Sequence, residues 1–90
     1  MSAEAKLKEL GIELPPVPAA AGLYAPCVRS GTQIFVSGQV PMKDGQPMRK
    51  GKLGQGVTID EANALARHCA LQALAIIRAE LGSLDRVSRV

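Results

Sequence analysis

Residues 30–41 read SGTQIFVSGQVP. The opening Ser-Gly-Thr is typical of a turn, and the residues after it, centred on Ile-Phe-Val, favour a β-strand over residues 33–40. A second strand-like segment, residues 23–28, lies just before the turn, so the two segments predict an antiparallel hairpin. Pro26 lacks a backbone donor and places the first strand at a sheet edge or bulge. Gly38 interrupts the second strand, where another backbone or a ligand can approach closely.

A long helix is the clearest element that the sequence predicts after the hairpin. Residues 58–82 read TIDEANALARHCALQALAIIRAELG. Thr58 and Glu61 have the spacing of a capping box at the start, and Gly82 is typical of the position that ends a helix. We therefore expect a helix that is well defined at both ends.

One face of this helix is expected to pack on the hairpin. Small and aliphatic residues recur at i, i+3 and i+4 spacing and define that face: Ala62, Leu65, Ala66, Cys69, Ala73, Ile76 and Ile77. Three basic residues fall outside it and are expected at the surface: Arg67, His68 and Arg78. Leu71 projects away from the predicted stripe, and we expect it to touch a partner.

A short helix is predicted ahead of the hairpin. Ser2 can cap a helix that runs to Leu10, with Gly11 as the first residue beyond it. Ile12 is then placed to touch Leu7, as in a Schellman ending.

The chain divides at residue 21 in our interpretation. Three prolines favour an extended run after the short helix: Pro15, Pro16 and Pro18. Residues 1–21 are therefore interpreted as an N-terminal helix and proline-rich extension, and residues 22–90 as the domain proper.

After the long helix, the alternation of Leu84, Val87 and Val90 predicts the start of a third strand. The sequence thus indicates an α+β fold.

Residues 41–56 are predicted to form a long loop with a tight turn at residues 43–46. Its last part, residues 51–56, leads into the start of the long helix. We consider two interpretations, an ordinary flexible loop or an anion site built from free backbone N–H groups. The basic residues nearby lack interleaved aromatics and indicate a solvated loop: Arg49, Lys50 and Lys52.

Composition and charge exclude several classes of function. The net charge of +3 comes from 11 basic and 8 acidic residues spread along the chain, which does not favour a nucleic-acid partner. No apolar run approaches the ~18 residues that span a bilayer, and the start does not resemble a signal peptide, so we expect a cytoplasmic protein without a membrane partner. Cys27 and Cys69 are too far apart for a CxxC motif, and His68 has no Cys, Asp or Glu at i±4. We predict reduced thiols and no metal.

The first candidate site lies on the hairpin. Tyr24 on the first strand, with Ser37 and Gly38 on the second, can bring a phenol, a hydroxyl and an accessible backbone N–H together. Pattern alone favours ordinary strand residues at these positions.

These segments resemble the RidA (YjgF) family. The resemblance is carried by the G-x-Y of residues 22–24, by residues 30–41, by the capped helix, and by the Gly-Ser-Leu-Asp-Arg-Val of residues 82–87. It implies a chorismate-mutase-like β-β-α-β-α-β fold, of which the chain holds the first half: the hairpin, the long helix and the start of the third strand. It also implies a homotrimer with ligand sites in the clefts between subunits.

The resemblance implies an activity as well. Enzymes of the family hydrolyse 2-imino acids to 2-keto acids and ammonia without a metal or organic cofactor. Tyr24 matches the family's cleft tyrosine, and Ser37 and Gly38 match its ligand-contacting Ser-Gly, so these three are the expected substrate-binding residues. The arginine and carboxylate of that mechanism belong to the C-terminal half, so no catalytic residue is assigned here, and hydrolase activity depends on that half. A non-catalytic trimer that binds small carboxylates, and an endoribonuclease or translation inhibitor, remain as alternatives.

Overall fold

The computed structural model describes residues 2–19 and 22–90. It contains two α-helices, six short strands and one 3₁₀ helix in the order α1 (Ala3–Glu9), β1 (Cys27–Ser30), β2 (Gln33–Val36), β3 (Met42–Lys43), β4 (Gln46–Pro47), β5 (Lys52–Leu53), β6 (Gly56–Val57), α2 (Ile59–Leu81) and η1 (Leu84–Arg86). The predicted α+β content is confirmed. The predicted extension over residues 1–21 is described except at residues 1, 20 and 21.

The predicted hairpin is present but shorter than expected. β1 and β2 pair antiparallel around a turn at Gly31, which has a φ of +58°, and β2 ends at Val36, four residues before the predicted end. α2 packs against this hairpin. On its outer face, Val28 and Phe35 lie directly opposite each other and are 56% and 58% exposed. The hairpin therefore presents an apolar pair to the outside.

The long helix begins and ends where the sequence predicts. The Thr58 side chain accepts a hydrogen bond from the Glu61 N–H at 3.1 Å, and Gly82 ends the helix in the left-handed conformation. The Glu61 carboxylate makes an ion pair with Arg49 at 3.6 Å. The threonine half of the predicted capping box is thus confirmed.

The predicted inward face of α2 is partly wrong. The buried residues of the helix are Gln72, Ala75 and Ile76, whereas Ala66 is exposed. The stripe was defined by hydrophobic residues alone, and it overlooked a glutamine whose amide is satisfied by hydrogen bonds inside the fold. Leu71, expected to project outward, is half-buried.

The N-terminal helix ends as predicted. Gly11 N–H donates to the Lys8 carbonyl at 3.1 Å, and Ile12 N–H donates to the Leu7 carbonyl at 2.9 Å, which together form a Schellman motif. The cap at Ser2 is also present.

α1 is held against the C-terminal end of α2. The Glu4 carboxylate accepts hydrogen bonds from Arg78 at 2.7 and 3.2 Å and from the Leu84 N–H at 2.8 Å. In return, the Asp85 carboxylate accepts from the Glu4 N–H at 2.9 Å. Arg78, predicted at the surface, is therefore half-buried and paired. The division of the chain at residue 21 stays a prediction.

The predicted third strand is wrong for the described residues. Leu84–Arg86 forms a 3₁₀ turn, because the Ser83 hydroxyl accepts from the Asp85 N–H at 3.1 Å and Leu84 is buried, with 3% exposure. No strand of the described ranges pairs with residues 87–90. That the chain is half of a fold stays a prediction.

The predicted loop over residues 41–56 contains regular structure. β3 and β4 form a two-residue hairpin whose turn residues, Asp44 and Gly45, have φ angles of +53° and +79°. Two successive positive φ angles are typical of a type I′ turn, which confirms the predicted turn at residues 43–46. β5 and β6 add a second short ladder before α2.

Candidate functional site

A shallow pocket lies where the hairpin meets α2. Its lining includes Tyr24, Gly38, Val40, Met42 and Ile76. The enclosed volume of about 20 Å³ holds roughly one water molecule, so these residues can form one wall of a larger cleft but cannot enclose a substrate by themselves.

Two of the three predicted binding residues share this pocket. Tyr24 and Gly38 both line it, and the Tyr24 ring lies beside Gly22, where an added Cβ would be 3.5 Å from ring atom Cε1. Tyr24 is 49% exposed. The G-x-Y spacing therefore places a partly exposed ring over a residue without a side chain. Whether Tyr24 binds a ligand stays a prediction.

Ser37 stands beside the pocket and holds the hairpin. Its hydroxyl donates to the Ala25 carbonyl at 2.7 Å, and its N–H donates to the Pro26 carbonyl at 2.9 Å. Because the hydroxyl proton is used within the chain, Ser37 can meet a ligand only as an acceptor in this arrangement.

The backbone at Gly38 is accessible. A Cβ at this position would meet nothing within 4 Å, and its φ lies outside the region that requires glycine. Within residues 2–19 and 22–90, the Gly38 N–H donates to no acceptor. Gly38 thus offers an exposed donor next to Tyr24.

The segment after Gly38 is fixed by α2, through a residue that sequence reasoning missed. The Gln72 side chain accepts from the Met42 N–H at 2.7 Å and donates to the Val40 carbonyl at 2.8 Å and to Gln39 Oε1 at 3.1 Å. The available signal was its position, three residues after Cys69 and therefore on the packed face of the helix. A polar residue in an apolar stripe indicates a hydrogen-bonded partner inside the fold.

Two neighbours of Gln72 contact the same segment. His68 Nε2 lies 3.0 Å from the Met42 carbonyl, so the predicted surface histidine is in fact half-buried and bonded. The Cys69 thiol donates to the Gln39 carbonyl at 3.5 Å, and burial raises its pKa. A thiol with a raised pKa stays protonated at neutral pH and is a poor nucleophile.

Two arginines outside the hairpin are engaged with other groups of the chain. Arg49 donates to the Gly56 carbonyl and pairs with Glu61, and Arg86 donates to the Leu81 carbonyl. No arginine is among the residues that line the pocket. A carboxylate ligand would therefore need its cation from outside this wall. The anion-site interpretation of residues 51–56 stays open.

Two searches of the described chain bear on other kinds of site. Over residues 2–19 and 22–90, no cluster of three or more His, Cys, Asp or Glu side chains could hold a metal ion. In the same ranges, no helix combines the length and apolarity needed to cross a membrane.

Comparison with known proteins gives consistent matches. The family described as "YjgF/chorismate mutase-like, putative endoribonuclease" matches residues 4–90. Protein TCP17 of Trypanosoma cruzi is 48% identical over 86 residues, which are 96% of this chain and 54% of that protein.

Two solved structures share the fold. A protein from Shewanella oneidensis MR-1, described as "a putative endoribonuclease", is 36% identical with a TM-score of 0.90, and the match covers all of this chain and 60% of that one. Atu1372 of Agrobacterium tumefaciens, described as of unknown function, is 41% identical with a TM-score of 0.79 over 97% of this chain and 53% of that one. The chain thus spans between half and two thirds of the length of these relatives.

Proposed function

Because the chain belongs to the YjgF/chorismate mutase-like family, we propose that it forms one wall of a cleft in which a small 2-imino acid is hydrolysed to a 2-keto acid and ammonia. The observation that carries the proposal is the exposed N–H of Gly38, which has no acceptor within residues 2–19 and 22–90 and lies beside the Tyr24 ring. A backbone donor at an accessible glycine can bind a carboxylate or imine without moving a side chain.

The proposed hydrolysis needs few groups from this wall of the cleft. Water adds to the C=N carbon and a proton passes to nitrogen; the C–N bond then breaks, ammonia leaves and the carbonyl forms. Tyr24 supplies a ring surface, and the Gly38 N–H supplies a fixed hydrogen bond that orients the substrate. The carboxylate-binding guanidinium and the group that activates water are assigned to residues outside the pocket lining. Either sequence beyond these 90 residues or a second copy of the protein can supply them.

Self-association is part of the proposal. A pocket of about 20 Å³ needs a second wall, and the exposed pair of Val28 and Phe35 offers apolar surface for a neighbouring subunit. Assembly into a homotrimer would supply the second wall of the pocket and would cover the exposed Val28 and Phe35 side chains. Light scattering coupled to size-exclusion chromatography tests it: a trimer is expected, and Phe35→Glu should dissociate it, whereas a monomeric wild type contradicts the proposal.

A cytoplasmic location fits this role. Cys27 and Cys69 are both free thiols, which suits a reducing compartment.

The activity is tested with an imine made in place. An amino-acid oxidase generates the 2-imino acid, and release of keto acid is compared with the spontaneous rate. Acceleration that Tyr24→Phe weakens is expected, with the exposed Val17→Ala as the control variant. Binding of 2-oxobutanoate without acceleration would leave the alternative, a non-catalytic carboxylate-binding protein. No binding at millimolar concentration would reject both.

A ribonuclease is the second candidate, favoured by the words that describe the family and the Shewanella structure. Basic side chains of the loop would then contact phosphates: Lys43, Lys50 and Lys52. Cleavage of a labelled single-stranded RNA, lost on replacing these three lysines with glutamine, would support it. Intact RNA under conditions that turn over the imine would reject it.

A further inference from the structure

The segment from Gln39 to Met42 belongs to a strand only at its last residue, Met42 of β3, yet it forms part of the pocket wall. It follows β2, and the described strands do not pair with its first three residues. Such a segment needs other partners for its backbone groups, and α2 supplies them through side chains.

Gln72 is the central partner. It is the most buried polar residue of the described chain, with 1% exposure. Both of its amide hydrogens and its oxygen are used, toward Val40, Gln39 and Met42. A reversed amide would set its NH₂ against the Met42 N–H and its oxygen against the Val40 carbonyl, so the network allows one orientation.

That orientation is passed on to the pocket. Because Gln72 donates to Gln39 Oε1, the NH₂ of Gln39 faces the other way and donates to the Ser37 carbonyl at 3.0 Å and the Gly38 carbonyl at 3.4 Å. The peptide unit that contains the Gly38 N–H and the peptide unit that follows it are therefore held by a chain of two glutamines that begins inside the protein.

We propose that Gln72 is a positioning residue that fixes the Gly38–Met42 wall and so sets the direction of the Gly38 N–H toward the ligand. The geometric part of this proposal stands alone, and its effect on ligand binding rests on the function proposed above. His68 is a second tie to Met42 and should keep the segment near its place when Gln72 is replaced.

Two variants separate the geometric steps. Gln72→Leu removes all three hydrogen bonds, whereas Gln72→Glu keeps an acceptor for the Met42 N–H and removes both donors. Ala79→Gly is the control, because it weakens the same helix at an exposed position away from the segment.

Amide hydrogen exchange measures how firmly the Gly38–Met42 segment is held. In Gln72→Leu, the Met42 N–H should exchange about tenfold faster or more, while amides of β1 and β2 keep their wild-type order of protection. Gln72→Glu should leave Met42 protected. Unchanged Met42 exchange in Gln72→Leu would overturn the proposal.

Titration with 2-oxobutanoate measures how the Gln72 variants change ligand affinity. Both Gln72 variants should bind about tenfold more weakly or worse, and Ala79→Gly should bind as wild type does. Equal weakening in the control would reduce Gln72 to a stability role and overturn the proposal. If the wild type binds no 2-oxobutanoate, the proposed function fails, and the exchange result still decides whether Gln72 fixes the wall.

Discussion

The middle and the C-terminal end of α2 hold their neighbours by different chemistry. In the middle, the neutral amide of Gln72 is fully buried and bonds to backbone and amide groups of residues 39–42. At the end, Arg78 and Glu4 form an ion pair whose side chains are 40% and 30% exposed. Buried neutral groups are costly to leave unpaired, whereas partly exposed charges gain little because water screens them. The middle should therefore dominate stability, and the end should respond to salt and pH.

The largest effect is expected at the middle. Gln72→Leu should lower the free energy of unfolding by about 2 kcal/mol, because the Met42 N–H and the Val40 carbonyl lose their partner. Urea denaturation measures it, with the exposed Gln55→Leu as control. A loss no greater than that of the control would show that water replaces the glutamine at little cost.

A smaller effect is expected at the start of the same helix. Thr58→Ala removes the acceptor of the Glu61 N–H and should cost about 1 kcal/mol in unfolding free energy. Thr58→Ser keeps the hydroxyl and should stay close to wild type. Equal unfolding free energies of the alanine and serine variants would show that the hydroxyl cap adds no stability beyond what water supplies.

At the C-terminal end of α2, salt should weaken the ion pair between Arg78 and Glu4. Glu4→Gln should lower the unfolding temperature less than Gln72→Leu does. The difference in unfolding temperature between wild type and Glu4→Gln should shrink between about 0.1 and about 1 M salt, because the screening length falls from ~10 to ~3 Å. Thermal unfolding in both salts provides the comparison. A difference that does not depend on salt would mean that the hydrogen bond to Leu84, and not the charge, holds α1.

The smallest effect concerns pH. Hydrogen bonding to Arg78, then to the Leu84 N–H, lowers the pKa of Glu4 below its ordinary 4.5. A carboxyl whose folded pKa is depressed stabilises the protein above the unfolded pKa, and this contribution is lost as the pH falls through the folded value. The stability difference between wild type and Glu4→Gln should therefore be constant above pH 4.5 and shrink below it. A difference that grows on acidification contradicts this assignment.

Sequence predicted what depends on local chemistry. The caps at Ser2 and Thr58, the Schellman ending at Gly11 and the turn at residues 43–46 were all found, because each depends on a few adjacent residues. The family and the α+β fold followed from longer motifs.

Sequence failed where distant residues decide the structure. The burial of Gln72 depends on a segment 30 residues away, and the pairing of Arg78 depends on Glu4, 74 residues away. The alternation near Leu84 predicts a strand, although the Ser83 hydroxyl closes a 3₁₀ turn there. Of the candidate site, Tyr24 and Gly38 were brought into one pocket, but the glutamine that fixes its wall was not predicted.

The reciprocal bonds between Glu4 and the Leu84–Asp85 turn also concern the order of folding. They join residues 80 and 81 positions apart, so the intervening chain must be brought nearly into a ring before either bond can form. Contacts of such sequence separation carry the largest loop-closure entropy and contribute most to contact order. The hairpin and α2 can form from nearby residues, whereas this junction waits for both. A pair of fluorophores near Glu4 and Asp85 would thus report the last step of folding, after the helical signal of α2 has already developed.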